Sequence, residues 1–493
     1  VGILVLGGAL RLWGVRFGLP SALLHLDEPP VVFRAREILQ SGDGNPHWFH
    51  YPSFYLYLQV FLQAVGRVGG RTDPFLLARL SSVAAGVLTL WVTYALGRES
   101  LGRAVGLLGA LFLATSFLHS RESHFATVDA AATLFVTASV YLSVVALKRS
   151  QTARTALVGA AALAGLAAGT KYNAGLVGVA PAVAARAGGR GGRSWPWVGG
   201  VVAAAGLVFL LTTPYAILDW DAFVEDIRFE SRHYREGHFG FEGGFNAAYF
   251  ARYLFSPGLG EGIVLFLVVG LVASIARRDR ALAPILGFLA VYYVSISAVR
   301  VNFVRNLMPI LPVLCVLAGW GVWVVVERLP AQRVTRMLTT GALLAGLVVL
   351  PIWRTATYSR AISHSTRVDA ARWIAEHVPR GSTLAFELYG PENLPGGYRV
   401  LMVLHLSDRP LQWYEAQGVD YLVASSGAYE MAYSNSDRYP EVVARYDEIF
   451  RRFPVVHQIP GETIDPLYSS ISPTIRILRG PDARSPTTTA RDR

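Results

Sequence analysis

The sequence predicts a polytopic α-helical membrane protein of about 11 transmembrane helices, followed by a C-terminal extracytoplasmic α/β domain. Three observations predict it. The 493 residues are 53% hydrophobic and only 16% charged, too apolar for one soluble domain. Apolar runs of roughly 16 to 24 residues recur to about residue 356, matching a bilayer core roughly 30 Å thick. Beyond residue 357 charges return, apolar runs shorten and turn residues separate them. The expected organisation is therefore a membrane module over 1–356, a soluble domain over 357–480 and a disordered Pro/Thr/Arg-rich tail over 481–493.

The basic residues orient the spans. Arg98 and Arg103, then Lys148, Arg149 and Arg154, then Arg186, Arg190 and Arg193, then Arg277, Arg278 and Arg280, and finally Arg328, Arg333 and Arg336 mark five short loops. Read as cytoplasmic, they require two spans between each loop and the next. The sequence supplies 102–119 and 126–147, 154–170 and 172–187, 196–214 and 258–276, 281–299 and 303–327, with 337–356 to follow. The segment 75–97 precedes them, and the first span starts near Val1. That first span is short, begins without Met and has no A-x-A-like cleavage site, so it reads as a retained helix with a few residues missing before it. The stretch 53–66, which holds Gln59 and Gln63, must not cross if parity is kept, and suits an interfacial or re-entrant helix. The outcome is an inner (cytoplasmic) membrane protein with its N-terminus inside and its C-terminal domain outside. Its two long outer loops are 18–74 and 215–257.

The net charge of +11 sits in topology-signal loops, which argues against nucleic acid as a partner. The single cysteine, Cys315, lies in an apolar run, so neither a disulfide framework nor a cysteine metal site is expected.

This topology collects the unusual polar residues on the outer face. The first loop carries His25, Asp27-Glu28, Arg34, Arg36, Glu37, Asp43, His47, His50 and Tyr51, the second His119 to Asp129 with His124. Lys171, Tyr172 and Asn173 follow, then Arg300, Asn302, Arg305 and Asn306. Each has a plain structural reading. Asp27-Glu28 fits a helix cap before Pro29-Pro30, and Asp129 opens an apolar run. Lys171 and Arg305 fit snorkelling anchors, and His47 and His50 fit interfacial polar residues. Taken jointly, cations on the outer side oppose the positive-inside bias and call for an anionic partner, either a lipid phosphate or the carboxylates themselves.

Sugar transfer from a lipid-linked phosphate fits these residue types. A carboxylate accepts the proton of the attacking hydroxyl, cations stabilise the departing phosphate, and a groove between helices holds the lipid. Asp27 is the candidate base, Glu28 and Asp129 its candidate catalytic companions, and Lys171, Arg305 and Arg300 the candidate phosphate ligands. His50, Tyr51, His124, Tyr172 and Asn306 are candidate substrate contacts. A divalent metal ion is an open alternative, with Asp27, Asp129, His47 and His50 as candidate ligands, because no H-E-x-x-H type signature decides it.

At these residues the chain resembles GT-C superfamily glycosyltransferases of the protein O-mannosyltransferase and lipid A aminoarabinose transferase type (glycosyltransferase family 39 and relatives). Asp27-Glu28 resembles their acidic motif after the first span, and Arg34 to Asp43 a following Arg-x-x-x-Ile-x-x-x-Gly-Asp pattern. His50-Tyr51-Pro52-Ser53 resembles their juxtamembrane Tyr/Pro-Pro motif, with Ser53 departing from the second Pro. His124-Phe125-Ala126-Thr127-Val128-Asp129, Thr170 to Asn173, and Arg305 to Pro312 resemble further elements in order. The resemblance implies a GT-C fold and an inverting transferase using a polyprenyl-phosphate sugar donor, with Asp27 as base. It leaves the acceptor open among protein Ser/Thr, lipid and glycan of the cell envelope.

The C-terminal region gives helices over 367–378 and 440–453, and strands over 383–387, 398–404, 421–424, 455–459 and 475–478. It carries no nucleotide loop, triad or metal motif. In the loop 215–257, Gly240, Gly243 and Gly244 suit a moving gate, and its aromatics equally suit an interfacial belt. A transporter or flippase of an anionic lipid or glycan is the competing function, disfavoured because no pair of broken spans recurs in two halves.

Overall fold

The computed structural model describes residues 1–19, 25–68, 73–188, 195–329, 332–481 and 483. Arg190 and Arg193, the side chain of Arg333, and the expected tail except Pro481 and Ala483 lie outside them. The chain divides into two compact units, one of residues 1–15, 30–238 and 242–356, the other of 16–29, 239–241 and 357–493.

The first unit is a bundle of apolar helices. Among the described residues, seven are long and apolar enough to cross a membrane: Pro74–Leu101, Val128–Lys148, Ser150–Thr170, Trp195–Thr212, Arg280–Ala298, Val304–Val326 and Val334–His377. The last runs on into the second unit and is broken at 363–365. Gly2–Leu12 and Arg103–Thr115 are shorter apolar helices, and Glu261–Arg277 is a 17-residue one. The chain is thus a multi-pass membrane protein, and the count of 11 spans stays an expectation.

One expected span takes another form. Residues 172–187 are not a continuous helix: Tyr172–Gly178 is a 3₁₀ segment, and the α-helix Val179–Gly188 follows. The backbone turns extended at Lys171 (φ −149°, ψ 124°), ending the helix Ala153–Thr170. Gly175 then lies so close to that helix that a Cβ would sit 2.9 Å from the Ala168 Cβ. Apolar content reads the same for a helix and for this tight return, so the sequence pattern did not separate them.

The helix Leu311–Val326 is the core of the bundle, buried at nearly every position from Leu311 to Val322. A helix apolar on all sides belongs in such a place. Its neighbours approach through glycines: a Cβ on Gly321 would meet the Phe266 carbonyl oxygen at 1.9 Å, and one on Gly270 the Leu317 oxygen at 1.8 Å. Small residues let two backbones close to contact where lipid gives no hydrophobic drive between helices.

The second unit contains a five-stranded sheet in the order β2-β1-β3-β5-β4. The strands are β1 (Thr383–Phe386), β2 (Arg399–Met402), β3 (Tyr421–Ser425), β4 (Val455–Ile459) and β5 (Ile475–Arg479). β1 runs parallel to β2 and β3, and β5 antiparallel to β3 and β4. Alternate residues supply two cores. Leu384, Phe386, Tyr421, Val423, Ile475 and Ile477 pack with Ala370 and Ile374 of the helix Thr366–His377. Ala385, Leu422, Ala424 and Leu478 pack with Tyr414, Tyr429, Tyr446 and Ile449. Period-two alternation with both faces covered makes this an α/β layer structure. At the end of β1, the buried Glu387 carboxylate accepts hydrogen bonds from Leu406 N (2.8 Å), Ser425 N (2.9 Å) and the Tyr446 hydroxyl (2.6 Å). Burial pushes its pKa up to about 7 against the pull of those donors.

The glycine crossing gives a first expected outcome. Gly321→Val should lower the stability of the detergent-solubilised protein by about 1–3 kcal/mol in thermal unfolding, the usual cost of overpacking. Gly200→Ala, where a Cβ meets nothing within 4 Å, should not lower it, since alanine is the better helix former. An unaltered transition for Gly321→Val would show that the two helices do not cross there.

Candidate functional site

In the first unit, Asp129, Lys171 and Asn306 form one buried centre. Lys171 Nζ donates to Asp129 Oδ1 at 2.8 Å and to Asn306 Oδ1 at 3.0 Å. The three are 2%, 5% and 0% exposed, so the charges are removed from solvent together. Each comes from an element end. Asp129 is in the first turn of the helix Val128–Lys148, and Lys171 caps the C-terminus of Ala153–Thr170. Asn306 belongs to the 3₁₀ segment Val304–Ile310, and its backbone oxygen accepts from the Tyr292 hydroxyl at 3.0 Å. A carboxylate at a helix N-terminus and an ammonium at a C-terminus both suit the helix dipoles. Their mutual contact removes the need for either to find an outside ion.

A second cluster surrounds residues 43–51, held to the helix Trp220–Glu236. His50 Nδ1 lies 2.7 Å from Glu230 Oε1, and His50 Nε2 3.8 Å from Asp226 Oδ1. Phe49 N donates to Asp226 Oδ2 at 2.6 Å, and Asn45 Nδ2 to Asp219 Oδ2 at 2.7 Å. His47 lies between Asp43 (3.1 Å) and Asp219 (3.4 Å). Asp219, Asp226 and Glu230 are spaced by seven and four residues, one stripe along a helix. The Tyr172 hydroxyl donates to the Phe49 carbonyl at 2.8 Å, which links this cluster to the neighbour of Lys171. Tyr51 packs edge-on against Trp48, over which the Arg34 guanidinium sits at 5.0 Å.

The segment ahead of Asp129 is buried as a block from Ser116 to Val128. Arg11 is fully buried there. It donates to the Leu113 and Ala114 carbonyls at 3.0 and 3.1 Å and lies 2.8 Å from His119 Nδ1. Arg121 pairs with Glu122 and donates to the Tyr253 hydroxyl at 3.1 Å. His124 has both ring nitrogens 2.8 Å from backbone carbonyls, those of Ser120 and Trp13, which gives it structural partners rather than an open edge for a substrate.

The expected cations separate by environment. Lys171 is engaged by Asp129, Arg305 is half-buried with its guanidinium 4.6 Å from the Phe303 ring, and Arg300 is exposed. The backbone of Arg300 is fixed by Tyr234 O (3.1 Å) and Gly243 N (2.8 Å). Asp27 and Glu28 group with the second unit. Glu28 is buried and opens the helix Glu28–Ser41, and Asp27 N donates to His25 Nδ1 at 3.3 Å. Among the described residues, no three His, Cys, Asp or Glu side chains gather into a metal-holding group. Of the metal candidates, Asp129 is paired with Lys171, and His47 and His50 lie against carboxylates.

The gate expected at 215–257 takes a more ordered form. The helix Trp220–Glu236 and the helix Ala247–Tyr253 occupy much of it. Gly240 (φ +77°) has no room for a side chain, since a Cβ would fall 2.6 Å from the Met431 Cβ within the second unit. Phe239 lies there 4.6 Å from both the His405 and Tyr439 rings. Asp219, Asp226, Glu230 and Arg11 escaped sequence reasoning. The acidic spacing on a helix, and a lone arginine within an apolar span, were the available signals.

Two outcomes follow. Lys171→Met should destabilise the protein by about 3–5 kcal/mol in detergent denaturation, because it leaves the Asp129 charge buried and unpaired. The double variant with Asp129→Leu should recover most of that loss, and a loss that simply adds would show the two do not interact. The Glu230 hydrogen bond raises the His50 pKa, outweighing burial, with Asp226 adding to the rise. The charged clamp is therefore complete below the ordinary histidine value of about 6.5 and is lost as pH climbs through the raised value. Hydrogen exchange in 43–51, corrected for intrinsic rates, should rise across that window, and Glu230→Gln should weaken the pH dependence. A pH-independent protection in the native protein would show that His50 does not hold the loop.

Residues 56–216 match the model of the dolichyl-phosphate-mannose-protein mannosyltransferase family. No curated protein matches the chain. Among solved structures, ArnT from Cupriavidus metallidurans in the apo state is 18% identical, with a TM-score of 0.55 over 96% of this chain and 98% of that one. ArnT bound to undecaprenyl phosphate is 17% identical, with a TM-score of 0.54 over 96% of each chain. The oligosaccharyltransferase AglB from Archaeoglobus fulgidus, in complex with an inhibitory peptide and a dolichol-phosphate, is 13% identical. Its TM-score is 0.54 over 90% of this chain and 71% of that one. At such identities the likeness speaks for the fold. The chain shares that fold along nearly its whole length with ArnT, and the family model matches residues 56–216 of it.

Proposed function

We propose that the chain is a membrane glycosyltransferase that moves a sugar from a polyprenyl-phosphate donor to an acceptor hydroxyl outside the cytoplasm, with inversion at the anomeric carbon. The observation that carries the reading is the fold shared along nearly the whole chain with ArnT, one structure of which is bound to undecaprenyl phosphate. The acceptor hydroxyl gives its proton to Asp27 as its oxygen bonds to the anomeric carbon. The bond from that carbon to the phosphate oxygen breaks, and the electron pair leaves with the phosphate. Glu28, next in sequence to Asp27, is its companion carboxylate.

Charge assigns the other roles. The departing phosphate is anionic and needs cations. Lys171 is already neutralised by Asp129, so the phosphate role rests mainly on Arg305 and Arg300, while Lys171 and Asp129 shape the site between them. His50, Tyr51 and Tyr172 act through the 43–51 segment, whose histidines lie against carboxylates. The acceptor is a hydroxyl on a protein, lipid or glycan.

Asp27→Asn should lower transfer by about 10²–10⁴-fold, the usual worth of a general base, with donor binding unchanged. Arg305→Ala should chiefly weaken donor binding. Purified protein in lipid nanodiscs, assayed by transfer from a radiolabelled polyprenyl-phosphate sugar and by donor affinity, separates the two. Full turnover by Asp27→Asn would remove it as base.

A further inference from the structure

Asn173 Oδ1, two residues after Lys171, is a buried polar atom with no hydrogen-bond partner, and so are three others near Asp129 and Asn306 in sequence: Thr127 Oγ1, Asn302 Oδ1 and Asn306 Nδ2. Thr127, Asn302 and Asn306 are 5%, 8% and 0% exposed. Buried polar groups are normally satisfied, so each of these calls for an explanation. Thr127 is two residues from Asp129, Asn302 is four from Asn306, and the helix Val128–Lys148 packs against the segment Val304–Ile310. Thr127 stands at the N-cap of that helix, where a threonine hydroxyl ordinarily accepts from the first turn, and it makes no such bond. Gly243 borders Asn302. A Cβ there would fall 2.2 Å from Asn246 Oδ1 and 3.7 Å from Asn302 Nδ2.

The chemistry of the orphaned atoms selects a ligand class. Asn306 Oδ1 accepts a hydrogen bond from the Lys171 ammonium, which can only donate, so its free atom is the amide nitrogen, a donor. The Asn302 oxygen only accepts, and the Thr127 hydroxyl does either. A phosphate oxygen at neutral pH offers acceptors and leaves an amide oxygen unserved. A sugar ring offers hydroxyls that donate and accept. The charges beside them cancel, since Lys171 and Asp129 neutralise one another.

We infer that Thr127, Asn302 and Asn306 form the subsite that reads the hydroxyls of the donor's sugar, separate from the arginines that meet its phosphate. The assignment rests on the transferase reading above and names the part of the donor that this centre recognises. Hydrogen bonds buried at such a site discriminate strongly against sugars whose hydroxyls do not match.

The test measures affinity of the full-length protein in nanodiscs for bare undecaprenyl phosphate and for a panel of undecaprenyl-phosphate hexoses and pentoses. The sugar-bearing form that wild type prefers should bind more tightly than the bare lipid phosphate. Thr127→Val and Asn302→Leu should each remove about tenfold of that preference, the worth of one buried hydrogen bond. Their affinity for bare undecaprenyl phosphate should stay at the wild-type value, which also shows that they fold, and Thr127→Ser should retain the preference. An unchanged preference in both variants, or equal loss for the bare lipid, overturns the subsite. So does a wild-type protein that binds bare undecaprenyl phosphate and prefers no sugar-bearing form, with the transferase reading left standing. A wild type that binds no lipid phosphate at all overturns both.

Discussion

The ion pair between Asp129 and Lys171 is the constraint on which the membrane unit depends. Removing two charges from water costs several kcal/mol each, and only close mutual contact with further hydrogen bonds offsets it. The pair therefore admits one arrangement. The start of Val128–Lys148, the end of Ala153–Thr170 and the segment Val304–Ile310 must meet at the same end of the bundle. Replacing such a pair with apolar residues is often neutral for stability, so its value is in register rather than in net free energy. The break at Lys171 follows directly, because a helix continued through residue 171 would carry its ammonium away along the next turn.

The same logic of charges placed against partners governs the 43–51 segment. Its backbone and polar side chains reach Asp219, Asp226 and Glu230, and each contact ties a loop residue to a regular helix. A loop fixed this way keeps its conformation without a core of its own, and its hold responds to the charge of His50. Arg11 plays a comparable part at the other side of the bundle. It supplies donors to carbonyls that the broken helix Arg103–Thr115 leaves unpaired at its end, a form of C-terminal capping in an apolar setting.

Much of this was legible in the sequence, and unevenly so. Apolar runs gave most helices of the membrane unit because burial in lipid demands them residue by residue. The five strands of the C-terminal region were legible from their short β-branched and aromatic runs, but not their order, since β5 lies between β3 and β4 through contacts remote in sequence. The motif residues stood out as polar groups in an apolar chain, while their partners did not. Lys171 read as a snorkelling anchor or a phosphate ligand, and nothing local to it announces Asp129 forty-two residues earlier. His50, Tyr172 and His124 stood out in the sequence as unusual, yet their contacts are to Glu230, the Phe49 carbonyl and the Trp13 carbonyl. Pairwise electrostatics across the fold is the information that a one-dimensional pattern lacks.

The charge balance at the centre constrains what any ligand can do there. A buried lysine held by one carboxylate and one amide presents no net charge, so it attracts no anion over distance, in contrast to exposed or half-buried arginines. On the proposed reading, an anionic lipid headgroup would be steered by the exposed Arg300 and the half-buried Arg305. The neutral centre contributes orientation instead, because hydrogen bonds are directional and the ion pair fixes the amide of Asn306 in one sense. Steering by exposed charge and orientation by buried neutral groups are separable, and a transferase benefits from the separation. In the proposed transfer the phosphate product must leave, so cations that hold it would be less deeply buried than groups that recognise the sugar.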